Sequence, residues 1–495
     1  MKLLQKIFVF ALVLINSGCL DFEELRENPN DPLTVPPSLL FTSLTPEPQS
    51  SFSGDAYSFA QYHMWIATDN ATAPSYQFGR ASFTYETIRN IDKMEEEAQR
   101  ANAPVYGILG KFFRAYYYVE MTRRMGDIPL SESMMGAENP TPAYDSQKQV
   151  YIQALEWLDE ANLELGAFIQ ANPGLSIDGD IYFKGNLKSW QKIINAYTVR
   201  ILMTLSKKSD DPELDVPGRM NRLYSQPDKY PLLTGINDNA QLEYRNEDGF
   251  RQSYNPDQAV YRAAIVYVDT YIEMLKSYED PRLMVVADPT QDALDANQGN
   301  ELAVRADFNS YAGADFSANG TVNSSKKLDG DFSFPNEAKY WNYTGQAAIW
   351  IGYSEQELNL AEAVHRGWIS GSVADHYQEG VVASMQFYGI EETAASSYVA
   401  EKAPYIGGEE GLERIHEQMY IAYAENSGWE SFFMTRRTGV PTYKFSSENN
   451  VEQIPVRWIY PSSENDRNQE NYRNALKNQF GSENDSRDEV MWLIK

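Results

Sequence analysis

Residues 353–389, YSEQELNLAEAVHRGWISGSVADHYQEGVVASMQFYG, restrict the possible folds more than any other stretch of this chain. Leu360, Ala363, Val364, Gly367 and Trp368 recur at i, i+3, i+4, i+7 and i+8, one face of a 3.6-residue helix, with Glu355, Glu357 and Arg366 elsewhere on its surface. The spacing predicts that this helix stops in Ile-Ser-Gly-Ser, where Gly371 suits a left-handed exit, Ser372 can cap the next helix and Asp375 stands in capping-box position. In the second helix Ala374, Tyr377, Val381, Met385 and Tyr388 trace one face, and Gly389 ends it. Both faces need burying. Small residues (Ala361, Ala363, Gly367) opposite aromatics are how helical hairpins stack into arrays, although the spacing alone also fits an isolated α-helical hairpin.

Other parts of the chain agree with an array. Val105, Ile108, Leu109, Phe112, Tyr116 and Val119 form the face of a helix that Gly126 terminates. Asp145 can cap a second, with Val150, Ala154, Trp157, Leu158, Ala161 and Leu165 on its face, and a third uses Leu187, Trp190, Ile194, Tyr197 and Ile201. An earlier helix over about 85–100 ends in Glu95-Glu96-Glu97, which reads as a solvated face. The expected fold is mainly α, a tetratricopeptide-like helical-repeat scaffold with long irregular loops; the full 34-residue consensus is not legible. Hairpins are expected over about 85–208 and 353–425, with a loop-rich insertion over about 236–350. Residues 296–335 are rich in Asn, Gly, Ser and Asp, with scattered aromatics, and read as either a disordered excursion or a functional loop presenting its rings.

The N-terminus has Lys2 and Lys6, an apolar run from Ile7 to Ile15, and then Asn16-Ser17-Gly18-Cys19. Nine apolar residues are too few for a bilayer that needs about 20, so residues 1–18 read as a secretion signal. Cys19 is the sole cysteine, which rules out an intramolecular disulfide and points to a lipid-modified N-terminus carrying acyl chains such as palmitate. The placement resembles a bacterial lipobox, with Asn16 where Leu is usual. Asp21, Glu23 and Glu24 follow and resemble the surface-export signal of such lipoproteins, favouring the outer face of the outer membrane. Residues 19–45 hold Asn28-Pro29-Asn30-Asp31-Pro32 and Pro36-Pro37 and are expected to form an extended tether, leaving 46–495 as a single domain.

Ordered blocks along the chain resemble one family, the SusD/RagB outer-membrane nutrient-binding lipoproteins. The blocks are Asp178 to Asn186 followed by Trp190, Asn195 and Arg200; Asp280-Pro281-Arg282-Leu283; the Leu-Ala-Glu-Ala and Tyr-x-x-Gly-x-x-Ala-Ser-Met segments within 358–389; Trp429-Glu430 with Arg436-Arg437-Thr438-Gly439; and Arg457, Tyr460-Pro461, Glu464, Asn468, Asn471-Tyr472 and Ala475. Asn186 stands where the family usually has Asp. The resemblance implies a SusD-like fold and a non-catalytic lipoprotein that captures oligosaccharides, or in some members peptides, as a lid on a SusC-like TonB-dependent transporter.

Composition and motifs narrow the chemistry independently. With Lys plus Arg 42 against Asp plus Glu 70, the net charge is −28, which repels nucleic acid and anionic lipid headgroups. There is no G-x-x-x-x-G-K-[ST] or G-x-G-x-x-G loop, and His63, His365, His376 and His416 include no H-x-x-x-H pair, so no nucleotide, cofactor or zinc site is expected. Asp178-Gly179-Asp180 lacks the alternating ligands and terminal Glu of a calcium loop. The enzymatic rival is a helical glycoside hydrolase, but no carboxylate pair stands out, and Glu362 lies inside a packed helix, which suits an ion pair better than general-acid work. Of the 33 Tyr and 9 Trp most are expected in the core, and the candidate ligand contacts are Trp65, Tyr76 and Phe78 in a first loop with Phe308, Tyr311 and Phe316 in a second.

Overall fold

The computed structural model describes residues 34–48, 52, 54–66, 75, 76 and 78–495; the signal segment, Cys19 and the acidic cluster after it lie outside the described residues. The principal helices are α1 (Pro37–Leu44), α2 (Tyr85–Arg100), α3 (Pro104–Met125), α4 (Gln147–Ala171), α5 (Leu187–Thr204), α6 (Tyr353–His365), α7 (Val373–Phe387), α8 (Gly408–Tyr423) and α9 (Glu430–Thr438). They stack in the expected order: α2 on α3, α3 on α4, α4 on α5, then α5 on α6, with α7 and α8 packed against α6. Short strands pair as two antiparallel ribbons, β1 (His63–Trp65) with β3 (Ile265–Tyr267) and β2 (Ala240–Leu242) with β4 (Ala348–Ile351). Among the described residues no helix is long and apolar enough to cross a membrane.

Turn chemistry fixes the hairpins. After α2, Asn102 takes φ +52°, its N–H donates to Gln99 O and the Ala103 N–H reaches back to Ala98 O, after which Pro104 opens α3. α6 ends in the same way, but earlier than expected. The left-handed exit is Gly367 at φ +73°, with Gly367 N–H donating to Val364 O and Trp368 N–H to Ala363 O, so Gly371 lies beyond the turn. Ser372 caps α7 by accepting from the Asp375 N–H, and Gly389 closes α7 with the same paired bonds. Gly380 lets α7 approach α6: a Cβ there would stand 2.7 Å from Leu358 Cγ and 3.1 Å from its backbone nitrogen. The cap of α4 is Ser146, in a reciprocal capping box with Gln149, and not Asp145. The Asp145 carboxylate instead accepts from the N–H groups of Leu130 and Ser131.

Three expectations fail for one reason, that local composition does not report what a segment packs against. The end of the expected tether is helical: Pro37 occupies the first turn of α1, where its missing N–H is no loss, and Phe41 is buried against Tyr106, Phe113 and Trp190. The loop over 178–186 clamps this helix, since Thr42 Oγ1 donates to Gly179 O and a Cβ on Gly179 would stand 2.1 Å from Ser38 O. Asp180 there accepts from the N–H groups of Tyr182, Phe183 and Gly185 and so serves the turn itself. Glu355 and Glu357 are buried, not on the surface, as is Glu97 of the acidic run, which pairs with Lys93 and Arg100. The Asn- and Gly-rich insertion is folded, with helices at Gln291–Ala296, Glu301–Ala306 and Gly320–Asp329.

Buried charges knit the array together. Arg200 of α5 grips Glu355 of α6 and donates to Trp350 O, while Arg123 of α3 and Arg200 converge on Glu430 of α9. Glu362 accepts from Arg437 at 2.6 and 2.8 Å and from Arg366 at 2.7 Å, with His416 Nε2 3.0 Å away. Although burial opposes ionisation, Arg437 and His416 hold the Glu362 carboxyl well below the usual carboxylate range. Arg282 and Asp280 form a fully buried pair that reaches Ser384, Gln418 and Tyr398. At the far end, the turn Trp492–Ile494 returns to α4, where Leu493 N–H donates to Gln147 Oε1 and Lys207 Nζ donates to Ile494 O.

Candidate functional site

Four of the six expected ligand aromatics belong to the core. Tyr76 is fully buried and its hydroxyl accepts from the Gln61 amide at 2.7 Å. Phe78 stacks on Trp458 at 4.5 Å, Tyr311 donates to Arg305 O at 2.9 Å, and Phe316 packs against Tyr76 at 5.2 Å. None of these rings is accessible to a ligand. In long polar stretches a lone ring often anchors the loop to the body, and the sequence does not separate anchors from displayed rings. Phe308 is half-buried against the core, while Trp65, expected in a loop, is 43% exposed at the end of a strand.

Trp65 ends β1, paired across the ribbon with Ile265, and meets Tyr261 of the helix Ala259–Ala264 edge to face at 5.5 Å. The next residue, Arg262, holds its guanidinium 5.7 Å over the Trp341 ring and donates from Nη2 to both oxygens of Glu337 at 2.5 and 2.6 Å. Trp341 rests against Tyr254 at 5.0 Å, and Arg251 lies 4.3 Å over Tyr343. Asp257 accepts from Arg251 at 3.3 Å and from the Tyr343 hydroxyl at 3.1 Å. Beyond Arg251, a cavity of about 720 Å³ is lined by Tyr182, Lys184, Tyr244, Arg245 and the exposed Phe250, among others.

The segment Trp341-Asn342-Tyr343-Thr344-Gly345 is a hydrogen-bonded turn. The Asn342 carboxamide oxygen accepts from the N–H groups of Thr344 and Gly345, and the buried Gln252 amide donates to Tyr340 O and Asn342 O. Gly345 is required here, because a Cβ would stand 2.3 Å from Gln252 Cδ. Chemically the face offers apolar rings, a set of guanidinium donors and carboxylates already engaged by those guanidiniums. That suits a flat, hydroxyl-rich ligand whose apolar face covers a ring. Among the described residues no group of His, Cys, Asp and Glu is arranged to hold a metal ion. Tyr261, Trp341, Tyr343 and Phe250 escaped the sequence reading; the Asn and Gly that flank the two rings at 341 and 343 were the available signal, since they mark a turn that displays its neighbours.

A helical-repeat array carrying an aromatic face on its loops has the architecture of a binding scaffold. The family model for SusD-like proteins, described as starch-binding and associating with the outer membrane, matches residues 33–461, and the chain belongs to that family. A SusD homologue from Bacteroides fragilis is 32% identical, covering 93% of this chain and 100% of its own, with a TM-score of 0.80. A second from the same species is 27% identical over the same shares, with a TM-score of 0.82. A chitin-binding SusD homologue from Flavobacterium johnsoniae shares the fold at a TM-score of 0.69, with 19% identity over 93% of this chain and 97% of its own. No curated protein sequence matches the chain.

Proposed function

We propose that this protein is a cell-surface lipoprotein, anchored through Cys19 to the outer membrane and facing the exterior, that binds an oligosaccharide on the Trp65–Tyr261–Trp341–Tyr343 face and delivers it unchanged to a SusC-like TonB-dependent transporter. The observation that carries this reading is one surface on which Trp65 is exposed against Tyr261, with Arg262 over the half-buried Trp341 and Arg251 over Tyr343, in a chain whose other expected ligand aromatics are mostly core. The chitin-binding neighbour supports a sugar over a peptide. The charge of −28 and the engaged carboxylates of the face favour binding over nucleic-acid recognition or proton transfer.

A sugar ring that covers about 50 Å² of apolar area on one aromatic contributes about 1 kcal/mol at ~25 cal/mol/Å². Three rings and a few partly solvated hydrogen bonds then give a dissociation constant between about 1 μM and 1 mM. Trp65→Ala and Trp341→Ala should each weaken binding about fivefold, measured by calorimetry on a ligand chosen from a glycan and peptide array. Variants that bind as tightly as the parent would remove this face from the reading, and ligand cleavage by hydrolase-free protein would move it to a glycosidase. For the transporter, a tagged copy extracted in mild detergent from cells grown on the inducing nutrient should bring down one TonB-class β-barrel in near-equal amount. Recovery of the tagged protein alone across several gentle detergents would leave a free-standing surface binder.

A further inference from the structure

Glu425 lies just past α8 in left-handed backbone, φ +66°, and Ser427 and Gly428 follow at +58° and +59°. An L side chain stays there only where its surroundings impose it. Here Asn426 Oδ1 accepts from Ile349 N–H, Ser427 N–H donates to Ile349 O, and Gly428 N–H donates to the Tyr57 hydroxyl. The carboxyl is thereby held in the interior, 7% exposed. Oε1 accepts from the Tyr340 hydroxyl at 2.7 Å, while the buried Oε2 has no hydrogen-bond partner.

Among the described residues, the titratable groups that face this carboxyl are Tyr57, Tyr267, Tyr271, Tyr340 and Tyr388, with Lys339 the one cation. Lys339 Nζ donates to Gln346 Oε1 at 2.5 Å and stands 5.5 and 5.6 Å from the Tyr340 and Tyr388 rings, leaving Oε2 unmatched. Lys339 and Tyr340 belong to the four-residue helix that runs directly into Trp341 of the ligand face.

We propose that Glu425 is a positioning residue for the ligand face: its carboxyl holds Tyr340, and loss of its proton draws residues 336–346, with Trp341 among them, into a second arrangement. The inference rests on the binding reading only for what the face is for. Burial lifts the Glu425 carboxyl to about 7, so the proton is shed within the ordinary pH range. The resulting carboxylate has one oxygen without a donor; the neighbouring Tyr267 hydroxyl is given to Val286 O, so the Lys339 ammonium is drawn from Gln346 toward Oε2, taking the short helix with it.

Because the carboxyl that holds Tyr340 ionises only near 7, above its ordinary 4.5, that arrangement is favoured at low pH and loses ground as pH rises toward 7 and above. Hydrogen exchange of residues 336–346 in the ligand-free protein, corrected for intrinsic rates, should rise about tenfold between pH 6 and 8.5. Glu425→Gln keeps an acceptor for Tyr340 and should hold the exchange rate constant over that range. Lys339→Met leaves Glu425 in place but removes the ammonium that draws the segment, and should likewise flatten the profile. A flat parent profile, or a tenfold rise retained in Glu425→Gln or in Lys339→Met, would overturn the proposal. Since no ligand enters this measurement, failure of the binding reading would show separately, as unchanged affinity in Trp65→Ala and Trp341→Ala.

Discussion

Glu430→Ala is expected to destabilise the domain by about 3–5 kcal/mol, measured by chemical denaturation at neutral pH. The carboxylate lies between two guanidiniums that are themselves almost fully buried: Arg123, 2% exposed, and Arg200, 4% exposed. Arg200 keeps Glu355 and Arg123 keeps Glu120, but each loses part of its compensation in a medium where water cannot replace it. An unchanged midpoint would mean that the array does not depend on this junction. Acidification should act in the same direction. Despite burial, Arg123 and Arg200 hold Glu430 below the usual carboxylate range, so its contribution is present above the unfolded value and is lost as pH falls through the folded one.

Trp190→Ala should cost a similar ~3–5 kcal/mol, for a different reason. The indole is fully buried and surrounded by Phe41, Phe112, Phe113, Tyr182 and Phe183, at centroid distances of 5.2 to 6.4 Å. Its loss opens a cavity shared by α1, α3, α5 and the 178–186 loop, so hydrogen exchange should show α1 and that loop losing protection before α7 or α8 does. Uniform loss across the array would contradict this local account.

The helical faces were readable because burial follows helical spacing: Val150, Ala154, Leu158, Ala161 and Leu165 are all inside, as are Tyr377, Val381, Met385 and Tyr388. The family blocks proved to be structural chemistry. Glu362 pairs with Arg437 and Glu430 with Arg200 across elements far apart in sequence, so a linear reading found these residues without pairing them, while Asp280 and Arg282 pair locally and reach Ser384, Gln418 and Tyr398. Exposure in loops was poorly readable, because a Tyr that anchors a loop and a Tyr that faces solvent have the same neighbours in sequence. Phe316 and Tyr343 both sit among Asn, Gly, Ser and Thr, yet one is fully buried and the other lies under Arg251 on the proposed ligand face.

The return of Trp492–Ile494 to α4 has a consequence for the order of events during synthesis. Gln147 waits 346 positions for the backbone N–H of Leu493, and Arg123 waits 307 for Glu430. A nascent chain that has completed α2 to α5 therefore carries partly matched guanidiniums and an open apolar seam until Glu355, Glu430 and Leu493 have emerged. Closure over such separations is entropically slow, and the partial array exposes surface suited to a chaperone. Completion of the array is thus tied to segments made far later, and loss of the turn Trp492–Ile494 would affect α4.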